Sequence, residues 1–124
     1  MQQIAPVLGA APSAAHVTFH QKTEPIWDSC DGQASTYGWD PVTVTLEFRG
    51  GGSPGAIVSQ VRDAMRHLGW TYLQETSGRG IWYWDRSVSH GELAHAELDG
   101  ASQGTPQWTL LARAQPSARR VRGC

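Results

Sequence analysis

Residues 42–49 read VTVTLEFR, and apolar residues alternate with polar ones along this stretch. Val42, Val44, Leu46 and Phe48 would project from one face of a strand, and the polar residues between them from the other. Such alternation is typical of a strand that buries one face and exposes the other. We therefore expect a β-strand here, packed on a core by its apolar side.

A helix is predicted directly after this strand. The glycines at 50–52 break the strand, Ser53 suits an N-cap position, and Pro54 suits the first helical turn. Gly69 is a typical residue to end the helix. Between these ends, apolar residues recur at helical spacing, namely Ile57, Val58, Val61, Ala64, Met65 and Leu68. We expect one apolar stripe that packs on the sheet.

The following residues predict a hairpin and a further strand. Segments 70–75 and 81–86 are rich in aromatic and β-branched residues, and the turn-prone segment 76–80 separates them. Segment 92–98 fits both a capped helix and an alternating strand. Gly91 would lie in the first helical turn, which favours the strand.

Residues 107–114 predict the last strand, which ends before Pro116. The element order is then β-α-β-β-β-β. One helix on one face of a mainly antiparallel sheet predicts an α+β fold, arranged as a two-layer sandwich.

The first residues of the chain predict a different kind of segment. Residues 1–15 lack periodicity, and Pro6 and Pro12 interrupt any helix, although residues 16–20 could add a short strand. We expect residues 1–25 to form an extended arm or linker and residues 26–124 to form one domain, a size at which a single core is normal.

Cys30 and Cys124 are the two cysteines of the chain, and the second is the last residue printed. Paired, they would fasten the end of the chain to the loop before the first clear strand, which predicts an oxidising, extracytoplasmic location. Closing a loop of roughly 90 residues contributes about 4 to 5 kcal/mol in the chain-entropy model. Two unrelated thiols are the alternative, since two distant cysteines do not make a metal site.

Composition excludes several classes of function. The net charge of −1 and the isoelectric point near 6.5 lack the basic surplus of a nucleic-acid binder. No apolar run reaches the length of a membrane span, so none is predicted. Residues 4–15 lack the basic region and the uninterrupted apolar region of a signal peptide, and the cysteines favour a signal that has been removed.

Aromatic residues predict the candidate binding site. The chain has six tryptophans, a large number for its length. An aromatic patch left open on the sheet, formed by Trp82, Tyr83, Trp84 and Trp108, would stack on sugar rings or contact a partner protein. The alternative is that the loop around Cys30 and the end of the chain cover the second face as additional core.

A polar group is predicted on the sheet face away from the helix. With the strands in register, this face gathers Glu47, Tyr83, Asp85, His95, Glu97 and Arg113. Such a group permits acid–base chemistry, with His95 as base and Asp85 or Glu97 orienting it. An ordinary solvated sheet face has the same sequence pattern.

Motifs for other chemistry are missing from the sequence. His16 and His20, like His90, Glu92 and His95, have spacings that permit metal ligation but match no zinc motif. The glycine run at 50–55 lacks the phosphate-binding lysine pattern, and the serines lack a nucleophile elbow. The sequence therefore predicts no catalytic residue, no metal and no cofactor.

Several short motifs carry a resemblance. They are Trp27-x-x-Cys30-Asp31-Gly32, Gly38-Trp39-Asp40-x-Val42, Leu68-Gly69-Trp70, Trp108-Thr109-Leu110 and Gly123-Cys124. Over residues 27–124 the chain resembles small secreted or lipid-anchored actinobacterial proteins without established activity. The resemblance implies an extracytoplasmic location and a disulfide. Members often have a Pro-Pro pair where this chain has Gln115-Pro116.

In size and in its N-terminal arm the chain is also similar to adaptor subunits of secreted umbrella-shaped toxin particles. The hypothesis is a secreted or cell-envelope, non-catalytic adaptor that binds a protein partner through the arm and the aromatic face. The alternative is a carbohydrate-binding or small hydrolytic domain that acts on cell-wall material.

Overall fold

The structure is a computed structural model, and it describes most of the chain. The described residues are 4–23, 27–28, 36–39, 42–75, 77, 80–88, 93–100, 107–114 and 121–122. They form a 3-10 helix η1 (Ala5–Gly9), one α-helix α1 (Pro54–His67) and nine strands. The strands are β1 (Ala15–Lys22), β2 (Trp27–Asp28), β3 (Thr36–Trp39), β4 (Val42–Gly50), β5 (Thr71–Tyr72), β6 (Ile81–Ser87), β7 (Leu93–Asp99), β8 (Gln107–Ala114) and β9 (Val121–Arg122).

Six strands form the main sheet in the order β1-β4-β8-β7-β6-β5, and every neighbouring pair is antiparallel. One helix with one antiparallel sheet makes the fold α+β, as predicted. The predicted strands at 42–49, 81–86, 92–98 and 107–114 are confirmed to within two residues at each end. The first hairpin strand is shorter than predicted, because only Thr71 and Tyr72 pair with β6.

The core lies on the α1 side of the sheet and follows the alternation of the sequence. The apolar residues of β4 are at most 2% exposed, and the residues between them are half-buried. Ile57, Val61 and Met65 of α1 belong to the same cluster of buried residues. Trp84, Leu98 and Leu110 extend this cluster across β6, β7 and β8. Burial of this one face is what fixes the register of the strands.

Both ends of α1 are fixed by local contacts. Ser53 is the N-cap and its hydroxyl accepts from the Ala56 backbone N–H at 3.3 Å. Gly69 follows the helix with φ +94, a left-handed conformation that suits glycine. The Arg86 guanidinium of β6 donates to the Leu68 carbonyl at the helix end, where a cation also interacts favourably with the helix dipole.

The N-terminal residues differ from the predicted arm. Ile4, Val7 and Ala10 are at most 1% exposed and belong to the core cluster, and β1 pairs along its length with β4. Residues 4–22 are therefore part of the domain that was expected to begin at residue 26. Pro6 does not prevent this, because a 3-10 turn accepts proline near its start, and Pro12 lies between η1 and β1.

Three short strands form a second sheet in the order β2-β3-β9. Asp28 pairs with Gly38 on one side of β3, and Arg122 pairs with Thr36 on the other. Cys30 and Cys124 lie outside the described residues, so the predicted disulfide stays a prediction. Across the described ranges, no helix combines the length and apolar character that a membrane span requires.

Candidate functional site

The face of the main sheet opposite α1 carries a row of polar side chains. Residues directly opposite each other in neighbouring strands share a face, and the register pairs Asp85 with His95, His95 with Arg113, and Arg113 with Thr43. One row therefore runs across β6, β7, β8 and β4. The prediction that Asp85, His95 and Arg113 share this face is confirmed.

Two members of this row make a direct contact. His95 Nδ1 lies 2.6 Å from Asp85 Oδ1, while the His95 side chain is 67% exposed and that of Asp85 25%. A carboxylate at this distance orients the imidazole and favours a proton on Nδ1, which leaves Nε2 to accept a proton. The contact lies at a shallow cavity of about 420 Å³ that also includes Leu73, Tyr83 and Ala96.

Glu97 occupies the next row, opposite Tyr83 on β6 and Leu111 on β8. Burial raises the pKa of Glu97 above its ordinary value of 4.5, and the nearby Asp99 carboxylate raises it further. The Arg113 guanidinium opposes both by lowering this pKa. Glu97 is therefore an electrostatic neighbour of Asp99 and Arg113, and His95 is instead oriented by Asp85.

The four residues of the predicted aromatic site lie on two different faces of the sheet and differ in exposure. Trp84 is 1% exposed and Trp108 5%, so both are core residues and present no open ring. Trp82 is half-buried beside Trp108, with ring centroids 5.9 Å apart, and Tyr83 lies on the opposite face. Large rings are buried here because removing their apolar area from water stabilises the core between the sheet and α1. The four residues do not form one patch.

This division also limits the carbohydrate-binding alternative, which requires two or more exposed, coplanar tryptophans. Trp70, Trp84 and Trp108 are buried, and Trp82 is half-buried. The side chains of Trp27 and Trp39 lie outside the description.

The histidines of the candidate metal sites do not gather. His16 pairs with Arg49 and His20 with Leu46, residues that lie on opposite faces of β4, because the register shifts between Val17 and Phe19. His90 and Glu92 lie outside the described residues. Within the described ranges, no group of three histidine, cysteine or carboxylate side chains has metal-binding geometry.

An exposed edge of the sheet was not predicted as a site. β1 is eight residues long and pairs only with β4 among the described strands, so its outer side is open there. Val17 and Phe19 on this strand are each 40% exposed, and they are two of the three large hydrophobic residues exposed in the described ranges. The alternation of polar and apolar residues in 16–20 was the available signal, but it does not reveal that the strand lies at an edge.

Comparison with family models, with curated proteins and with solved structures finds no match to this chain.

Proposed function

We propose that this chain is a non-catalytic binding or adaptor domain that engages a protein partner through the outer edge of β1. The observation that carries the proposal is an eight-residue edge strand with exposed Val17 and Phe19. The partner contributes a strand that extends the sheet. The finer architecture that we propose with it is a two-layer sandwich in which α1 covers one face.

An open edge strand offers unpaired backbone N–H and C=O groups to another chain. Main-chain hydrogen bonds then provide affinity, and side chains beside the added strand provide specificity. Val17 pairs with Phe48 on the core face, and Phe19 pairs with Glu47 on the polar face. A partner strand would therefore meet one apolar side chain on each face of the sheet.

The two edges of the sheet are unequal, which supports β1 as the binding edge. The opposite edge strand, β5, has only two residues, and short edge strands are one way in which proteins block unwanted pairing. The similarity to toxin-particle adaptors rested on chain size and on an extended N-terminal arm. Residues 4–22 belong to the domain, so only the similarity in size still supports it.

A secreted or cell-envelope location is part of the same proposal. Cys30 follows Asp28 by two residues, and Cys124 follows Arg122 by two residues, in strands that flank β3. Two strand spacings are about 10 Å, and Asp28 and Arg122 pair with residues two positions apart on β3, so each cysteine follows closely after one of two nearby strands. The motifs shared with secreted actinobacterial proteins support the same location.

The test is capture of proteins from the culture supernatant of the source organism on immobilised chain, with mass spectrometry and then reconstitution from purified components. Val17→Lys with Phe19→Lys puts charge on the edge and should abolish stoichiometric capture. Leu93→Lys, at a residue that is 49% exposed on β7, is the matched control and should retain it. Equal capture by both folded variants would refute the edge-strand proposal.

The contact between His95 and Asp85 favours a second candidate, a small hydrolytic domain that acts on cell-wall material. His95 Nε2 would take a proton from a water whose oxygen bonds to the carbonyl carbon of a cell-wall peptide, and Asp85 would stabilise the imidazolium that forms. The imidazolium would then return the proton to the amine nitrogen as the C–N bond breaks. Release of soluble fragments from purified cell walls is the measurement. His95→Ala and Asp85→Asn should each abolish release, whereas Glu47→Gln should not; equal release by all three variants would reject the candidate.

A further inference from the structure

The sheet is wider than the helix that covers it. Six strands span about 24 Å at 4.8 Å per spacing, whereas a helix with its side chains is about 10 Å wide. A cleft of about 660 Å³ remains between α1 and the pair β5–β6. Its walls include Val58, Arg62, Trp70, Tyr72, Trp82 and Trp84. This volume lies in the range of small-molecule sites.

Aromatic rings form the apolar wall of the cleft, and their mutual packing holds them in place. The Tyr72 and Trp84 centroids are 5.6 Å apart at an angle of 60°. Trp82 stacks on Trp108, which in turn lies parallel to Phe48 with centroids 6.4 Å apart. The half-buried Trp82 ring is therefore supported from the core, which suits a preformed site.

Two polar groups in this wall are without a partner. The indole nitrogens of Trp70 and Trp84 are buried, and neither donates a hydrogen bond within the described part of the chain. A buried donor that is left unpaired costs about 1 to 3 kcal/mol, so most are paired in folded proteins. Both rings border the cleft, but their nitrogens are inaccessible from it, so these donors lie behind the wall and do not contact a ligand directly.

The charge at the rim points to an anion. Arg62 Cζ lies 3.9 Å from the centroid of the Tyr72 ring, and no carboxylate pairs with Arg62 in the described ranges. The neighbouring Arg66 is neutralised by Asp63, with Nη2 and Oδ1 2.6 Å apart. One cationic group is therefore available beside an aromatic wall.

We propose that this cleft binds a small molecule that combines an aromatic ring with a carboxylate. The ring packs against the half-buried Trp82, and the carboxylate pairs with the Arg62 guanidinium, which lies over the Tyr72 ring. This site is separate from the β1 edge, so it stands independently of the proposed function.

The test uses phenylacetate as the probe and its neutral analogue 2-phenylethanol as the control, added to ¹⁵N-labelled protein. The indole N–H resonances of Trp70, Trp82 and Trp84, assigned by Trp→Phe variants, should shift and saturate with a Kd on the order of 1 mM, as expected for a ligand of this size. 2-Phenylethanol should bind about tenfold more weakly, because it lacks the charge.

Arg62→Gln should weaken phenylacetate binding about fivefold to tenfold, since the guanidinium is exposed and its loss leaves the core intact. Arg49→Gln, an arginine on the other face of the sheet, should leave the Kd unchanged. Shifts that do not saturate, equal affinities for both compounds, or equal effects of the two arginine variants would each overturn the proposal. Saturable binding of a neutral sugar or a peptide in the cleft, with none of phenylacetate, would also overturn it.

Discussion

The two faces of the main sheet are built from the same strands and differ in almost every physical property. On the α1 face, buried aromatic and aliphatic residues form a single cluster. On the other face, Asp85, His95, Glu97 and Arg113 lie beside the half-buried Tyr83 and Leu111, and charges interact across the strands. The comparison shows that stability depends mainly on one face, and that chemical variety is left to the other face and the edges.

The largest expected loss of stability distinguishes two adjacent residues of β4 that lie on opposite faces of the sheet. Phe48→Ala should cost about 3 to 5 kcal/mol, because it leaves a cavity in a fully buried site. The melting temperature should fall by more than about 10 °C. Glu47→Ala, whose side chain is on the polar face, should cost less than about 1 kcal/mol. Urea unfolding measures both, and similar losses would show that the second face is also a core.

The second prediction concerns the disulfide that would hold the small sheet β2-β3-β9, in contrast to the packed core that holds the main sheet. If Cys30 and Cys124 are bonded, reductant or Cys124→Ser should lower stability by about 3 kcal/mol. The double variant Cys30→Ser with Cys124→Ser is the control, and reductant should not change its melting temperature. Two thiols that react freely with maleimide in protein from an oxidising compartment would contradict the disulfide and weaken the proposed location.

A smaller effect concerns the helix that closes the core face. Ser53→Ala removes the side-chain acceptor for the Ala56 N–H and should cost about 1 kcal/mol. Ser59→Ala, at an exposed position within α1, should be neutral or slightly stabilising, since alanine is the better helix former. Thermal unfolding of the two variants measures the difference, and equal stabilities would mean that the cap contributes nothing.

The smallest effect comes from the polar face and depends on pH. The pKa of Glu97 in the folded protein lies above 4.5, so the folded state binds more protons than the unfolded state between the two values. The contribution of Glu97 to the free energy of unfolding is fully present below pH 4.5 and is lost as pH rises through the folded pKa. Glu97→Gln should remove this loss. The difference in unfolding free energy between pH 7 and pH 4 should therefore be more favourable to pH 7 in the variant than in the parent chain.

Urea unfolding at both pH values measures this change. Glu75→Gln, at an exposed position outside the sheet, is the control. An identical dependence on pH in Glu97→Gln and the parent chain would show that the carboxyl is not perturbed by its neighbours.

Much of the fold follows from local patterns in the sequence. The alternation at 42–49, the cap at Ser53 and the glycine at 69 are each local signals, and each predicted element is present. These signals are strong because backbone geometry fixes the periods of a strand and a helix. They also identified the polar face, since Asp85, His95 and Arg113 follow directly from the alternation once the strands pair.

The N-terminal segment shows where local patterns mislead. Residues 1–15 lack periodicity and contain Pro6 and Pro12, which favours a linker, yet Ile4 and Val7 are fully buried and β1 pairs with β4. This burial depends on contacts between η1 and β4, which are more than 30 positions apart along the chain. A local window of sequence does not contain that information.

The sequence by itself determined the strand and helix periods, the helix ends and the polar character of one sheet face, because these depend on neighbouring residues along the chain. Only the tertiary structure decided that β1 is an edge, that Trp84 and Trp108 are buried while Trp82 borders a cleft, and that His95 contacts Asp85. Those features depend on which strands become neighbours. Strand order follows from the packing of the whole chain around one core, and side-chain exposure follows from strand order.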